Sequence, residues 1–199
     1  MQLLRPALVV FVLLLVAAAP FGYRAVVSTS YRNLRVVDEG VLYRSGQMSR
    51  AGFERVCRER GIGTVVKLRG VSDDKDEAED TVQQKYCEAH GIAFVRFPLA
   101  DWSPVGGVVP ADANVRRFVD LMANPAVAKP VLVHCFAGIH RTGPLVAAYR
   151  MEFDGWANED AVAEMTSMGT VRTTFADNLL GYLRTYTPRR GLGADGGKR

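Results

Sequence analysis

The sequence predicts an α/β domain, a mainly parallel central sheet flanked by helices, with an N-terminal hydrophobic helix in front of it. Three observations carry that prediction. Short apolar runs of strand length alternate with longer segments of helical length from Asn33 onward. Gly61 and Gly91 stand where the first two helical segments stop. Repeated strand-helix-strand units join strands that run the same way, because a crossover helix returns the chain to its starting edge. A chain of 199 residues, 48% hydrophobic and 23% charged, is long enough for one domain with an adequate core.

The elements follow in order. Pro6 to Tyr23 hold no charge, after Arg5 and the amino terminus. Residues 1–27 are therefore expected to be a signal peptide or a membrane anchor, and a membrane-associated location follows from the anchor. The alanines Ala17 to Ala19 resemble a cleavage region, and an exported or periplasmic product is the alternative. Arg24, Arg32 and Arg35 after the segment outnumber Arg5 before it, which favours a cytoplasmic catalytic part. A buried core helix is the third reading. Leu34 to Val37 and Val41 to Arg44 read as short strands joined by the turn residues Asp38, Glu39 and Gly40. Ser49 can cap a helix running to about Arg60, and Thr64 to Leu68 is a buried strand. A second helix spans about Asp76 to His90, followed by the strand Ala93 to Phe97. A loop rich in proline and glycine runs from Pro98 to Pro110, and a helix from about Ala111 to Ala123.

Val131, Leu132 and Val133 then form a buried strand leading into His134, Cys135, Phe136, Ala137, Gly138, Ile139, His140, Arg141, Thr142 and Gly143, and a helical pattern follows from Pro144. Five residues separate Cys135 from Arg141. A loop of that length can turn its backbone N–H groups toward one point and make an anion site. A helix starting at Thr142 would aim its positive end at the same point. A thiol held there would have a lowered pKa, and a guanidinium at its far end could grip two phosphoryl oxygens.

This segment resembles the signature of the cysteine-dependent protein tyrosine phosphatase superfamily. Its ending His140, Arg141, Thr142, Gly143 is most similar to the compact dual-specificity type, with the atypical fungal and plant members and their bacterial relatives. Tyr43, Arg44, Ser45, Gly46, Gln47 and Leu68, Arg69, Gly70 are similar to segments of the same group. The resemblance covers about Asn33 to Gly169. It implies a dual-specificity-phosphatase-like fold, and the phosphatase domain is expected over residues 28–187. It also implies attack by Cys135 on phosphorus, with Arg141 and the loop residues Phe136, Ala137, Gly138, Ile139 and His140 holding the phosphate. Thr142 matches the hydroxyl residue that eases departure of the sulfur, and His134 would hold the cysteine backbone.

A leaving oxygen needs a proton donor, which belongs at the same sheet edge as the loop. The expected junctions there are Ser45 to Met48, Arg69 to Ser72, Leu99 to Pro110 and Cys135 to Arg141. Asp101 is the expected acid; Asp73, Asp74 and Asp112 are rivals that read as helix starts. Arg44 and Arg69 lie on that edge as supporting charges, with Arg96 nearby. Apolar Phe136 and Ile139 favour a phosphotyrosine-type protein substrate. An inositol polyphosphate, a phosphoinositide or another small phosphorylated metabolite is the alternative, and a non-catalytic phosphate-binding module the third.

Other classes are disfavoured. The net charge of +4 comes from basic residues crowded at the ends, including the tail 188–199, which is expected to be disordered. No aromatic residues interleave with those clusters, so no nucleic-acid partner is expected. Three histidines and three cysteines form no ligand-like spacing, so no metal or other cofactor is expected. Cys57 and Cys87 read as buried hydrophobes within helices. A monomer is expected.

Overall fold

The computed structural model describes residues 11–14, 16–20, 22, 30–68, 74–97, 102–169 and 176–189, of which 74–80 are described by backbone alone. Its elements are β1 (Arg35–Asp38), β2 (Leu42–Ser45), α1 (Arg50–Glu59), β3 (Thr64–Lys67), α2 (Asp74–Ala89), β4 (Ala93–Arg96), α3 (Asp112–Ala123), β5 (Val131–His134), α4 (Thr142–Phe153), α5 (Asn158–Ser167) and α6 (Ala176–Arg184).

Five strands form one sheet in the order β1-β2-β5-β3-β4. β1 pairs antiparallel with β2, while β2, β5, β3 and β4 all run parallel. The central strands are buried end to end, as expected where helices cover both faces. Period-2 alternation divides them. Tyr43, Val65 and Leu132 meet Phe53, Val56 and Cys57 of α1 and Cys87 of α2. Leu42, Val66, Val131 and Val133 face the larger core of α3, α4, α5 and α6. On α3 the buried residues Val115, Phe118, Val119 and Met122 recur at helical spacing, and each contributes about 1.5–3 kcal/mol by leaving water.

Local chemistry sets the boundaries. Ser49 caps α1, its Oγ accepting from Gly52 N at 3.2 Å. Beyond α1 the chain reverses at Gly61, whose φ of 61° suits glycine, and Ile62 N donates back to Cys57 O at 2.9 Å. Both strands of the first hairpin and the helices through α4 lie within a few residues of their expected places. Helices α5 and α6 were not expected from the sequence. Arg189, within the expected tail, docks: its N–H donates to Glu152 Oε1 at 3.0 Å and its Nη2 to Asp120 Oδ1 at 2.9 Å. Residues 190–199 lie outside the described residues.

The expected membrane anchor is overturned. Among the described residues no helix is long and apolar enough to cross a membrane. A membrane-associated location loses its support with the anchor. The core-helix reading fails too, since Phe11, Leu13, Leu14 and Val16 are exposed. Most of the expected signal boundary, residues 23–29, lies outside the described residues.

Candidate active site

Because β2, β3, β4 and β5 are parallel, the residues after Ser45, Lys67, Arg96 and His134 emerge at one edge of the sheet. Cys135 follows β5 directly and is 2% exposed. The loop after it turns at Gly138, whose φ is 72°, and closes where Gly143 N donates to Ile139 O at 2.7 Å as α4 begins. Gly138 N–H points at Cys135 Sγ over 3.1 Å. The backbone N–H groups of Arg141 and Thr142 and the Thr142 hydroxyl lie close enough to favour negative charge on that sulfur, although Thr142 Oγ1 is buried with no hydrogen-bond partner among the described residues in this geometry. α4 starts with no side-chain cap at Arg141. The Cys135 sulfur stands there instead, its negative charge favoured by the Arg141 and Thr142 amides.

These contacts decide the charge of Cys135. Burial works against the thiolate, but the Thr142 hydroxyl and the Arg141, Thr142 and Gly138 amides around the sulfur outweigh it and bring the pKa below the ordinary thiol range. The other thiols mark the contrast: Cys57 and Cys87, buried among apolar side chains, are pushed up to about 12, chiefly by burial.

The loop is braced from outside. Gly46 after β2 approaches it so closely that a Cβ there would lie 2.9 Å from both Phe136 O and Ala137 O, and a Cβ on Gly138 would lie 2.5 Å from Gly46 N. Gln47 N donates to Phe136 O at 2.8 Å, and Asn33 Nδ2 to Ala137 O at 2.8 Å. Arg44 Nη2 donates to Gly138 O at 2.7 Å. Three consecutive loop carbonyls are thus drawn away from the side on which the amides converge. Lys67, fully buried at the end of β3, donates to Gln47 Oε1 at 2.7 Å and Gln83 Oε1 at 3.3 Å, tying the Gln47 brace to α2.

The expected site residues fall into three groups. Cys135, Phe136, Ala137, Gly138, Ile139, His140, Arg141 and Thr142 form the loop and the start of α4. His134 and Arg44 are buried at strand ends beside it; the His134 ring lies 6.2 Å from that of Phe53, and Arg44 faces a loop carbonyl. Asp101 and Arg69 lie outside the described residues. Trp102, next to Asp101 in the chain, packs on Tyr182 of α6 at 5.3 Å. Arg96 lies over Phe94 at 5.5 Å, and Asp112 accepts from Arg116 and Tyr182. Phe136 is 50% exposed, with the Arg32 guanidinium 4.2 Å above its ring. Sequence reasoning missed Arg32, Asn33 and Lys67; only Gly46 and Gln47 lay within a segment quoted for its resemblance. Among the described residues, no three His, Cys, Asp or Glu side chains converge to hold a metal ion.

Comparison with known proteins agrees with this geometry. A family model described as a DSP-PTPase phosphatase fused to NAD+ kinase matches residues 21–178. Human dual specificity protein phosphatase CDC14A is 33% identical over 82 residues, 41% of this chain and 14% of that protein. Tyrosine-protein phosphatase yvh1 of Schizosaccharomyces pombe is 45% identical over 56 residues, 28% of this chain and 17% of that protein. The matches thus span less than a fifth of these curated relatives. Among solved structures, the core catalytic domain of the PP-IP phosphatase Siw14 from S. cerevisiae superposes with a TM-score of 0.58 at 19% identity, over 78% of this chain and 85% of that one. P. aeruginosa TpbA in complex with pTyr gives 0.51 at 23% identity, over 78% and 92%. The shared fold and a family match over most of its length place the chain in the DSP-PTPase family, as a cysteine-dependent phosphatase domain of the protein-tyrosine-phosphatase type.

Proposed function

We propose that this chain hydrolyses phosphomonoesters through a phosphocysteine intermediate, with phosphotyrosine in proteins as the favoured substrate. The observation that carries the reading is the buried Cys135 sulfur, which accepts from Gly138 N–H at 3.1 Å and whose pKa is lowered by the surrounding amides and the Thr142 hydroxyl. In the first step the thiolate attacks phosphorus and the bond from phosphorus to the leaving oxygen breaks. Asp101 supplies the proton that oxygen takes up. Arg141 and the amides of Phe136 to Arg141 stabilise the equatorial oxygens. In the second step water attacks the phosphocysteine, gives its proton to Asp101 and releases inorganic phosphate. Thr142 stabilises the departing thiolate, and His134 holds the cysteine backbone from the end of β5. The packing of Trp102 on Tyr182 holds the chain next to Asp101.

The half-exposed ring of Phe136 at the start of the loop supports an aryl phosphate, against which it can stack. An inositol polyphosphate is the second reading, supported by Arg32 above that ring, a cation placed for a further phosphate group. The full chain, assayed without added metal on phosphotyrosine peptides, phosphoinositides and inositol polyphosphates, decides between them. The highest kcat/KM is expected on phosphotyrosine peptides; a clear preference for inositol polyphosphates would replace the first reading by the second. Asp101→Asn is expected to lower kcat about 100-fold or more on poor leaving groups, and less on p-nitrophenyl phosphate. An equal effect on every substrate would move the acid elsewhere.

A further inference from the structure

Arg44 stands out among the buried side chains. It lies on β2 opposite Val133 of β5, 2% exposed, on the face covered by α4 and α5. Among the described residues it forms no ion pair, and its Nη1 is buried without a hydrogen-bond partner. Its one hydrogen bond among the described residues runs from Nη2 to Gly138 O, the carbonyl of the left-handed residue whose own N–H points at the cysteine sulfur. Glu164 of α5 lies near it, but both oxygens of that carboxylate are taken by Arg150, at 3.0 and 3.3 Å. A guanidinium held in this way is a poor choice for packing, since an apolar side chain of similar volume would avoid its desolvation.

We propose that Arg44 is a positioning residue of the phosphate loop: it holds the Gly138 carbonyl turned back from the anion site, which keeps the loop amides facing the phosphate and the sulfur. A peptide unit that flipped would present its carbonyl dipole to the incoming anion, and a buried cationic donor on that oxygen opposes the flip. The charge acts in the same direction. The charged groups around Arg44 are Glu164 of α5, Cys135, Arg35 of β1 and Arg150 of α4; only the first two are anionic, and Glu164 is already paired. Burial lowers the Arg44 pKa, while Glu164 and the Cys135 thiolate work to raise it. The inference rests on the reading of Cys135 as nucleophile.

The test uses the full chain and two readouts besides turnover: the pH profile of Cys135 alkylation by iodoacetamide, and inhibition by inorganic phosphate. In folded Arg44→Met, alkylation is expected to shift to higher pH and the phosphate inhibition constant to rise about tenfold. Arg44→Lys keeps the cation but replaces a rigid fork by one mobile ammonium. It is expected to restore most of the alkylation profile and leave phosphate inhibition weakened several-fold, and it decides the matter if Arg44→Met does not fold. A wild-type profile and wild-type inhibition in folded Arg44→Met, or wild-type inhibition in Arg44→Lys, would overturn the proposal. Turnover that survives Cys135→Ser would instead defeat the nucleophile reading.

Discussion

Cys57, Cys87 and Cys135 are all buried, free thiols, and the difference between them is what donates to the sulfur. Burial, with a smaller contribution from neighbouring anionic groups, raises the first two, whereas amides and a hydroxyl lower the third. The depressed pKa of Cys135 favours the folded state above the ordinary thiol pKa, and that contribution is lost as pH falls through the lowered value. Iodoacetamide is therefore expected to label Cys135 at a pH below the ordinary thiol range and to spare Cys57 and Cys87, as read by peptide mass mapping. Equal labelling of the three would contradict this. Gly138→Ala is expected to lower kcat/KM by about 100-fold or more, since a Cβ would meet Gly46 and Ser45 backbone in a conformation that L-residues rarely adopt. Cys135 and Arg141 were legible in the sequence because their relation is local, a spacing around a glycine. Arg44 was legible as a charge on that edge, but the braces from Arg32, Asn33 and Lys67 were not, since each reaches the loop or its supports only after the strands are paired.

At the scale of elements, β5, the loop and α4 form a strand-turn-helix unit that places a sulfur on a helix N-terminus. The apolar run before Cys135 and the helical pattern after Thr142 made that unit readable. Helices α5 and α6 left a weaker trace. α5 begins without a side-chain cap at Ala157 and buries only Ala161, Val162 and Met165. Its partner contact is non-local: Asn158 Nδ2 donates to the carbonyls of Leu183, Arg184 and Tyr186 at 2.9, 3.0 and 2.8 Å, closing the end of α6. Asn158→Ala is expected to cost about 1–3 kcal/mol, measured by urea denaturation. A change under about 0.5 kcal/mol would show that water replaces those bonds. Since α6 also carries the Tyr182 that holds Trp102, the same variant is expected to lower kcat more than it weakens phosphate inhibition.

Across the whole molecule, one sheet serves both stability and chemistry. Its two faces bury separate sets of side chains, and its parallel strands deliver their ends to a single edge. The α/β class and the shared edge were readable from alternating element lengths and glycine stops. The expectation drawn from the N-terminal apolar run did not hold, because among the described residues no helix is long and apolar enough to cross a bilayer. The account stands on one thiolate in one loop. Hydrolysis of p-nitrophenyl phosphate by the full chain without added metal, compared with Cys135→Ser, tests it most directly. Turnover is expected in the wild type and none in the variant, which should still be protected against thermal unfolding by phosphate. Undiminished turnover in Cys135→Ser would contradict the account.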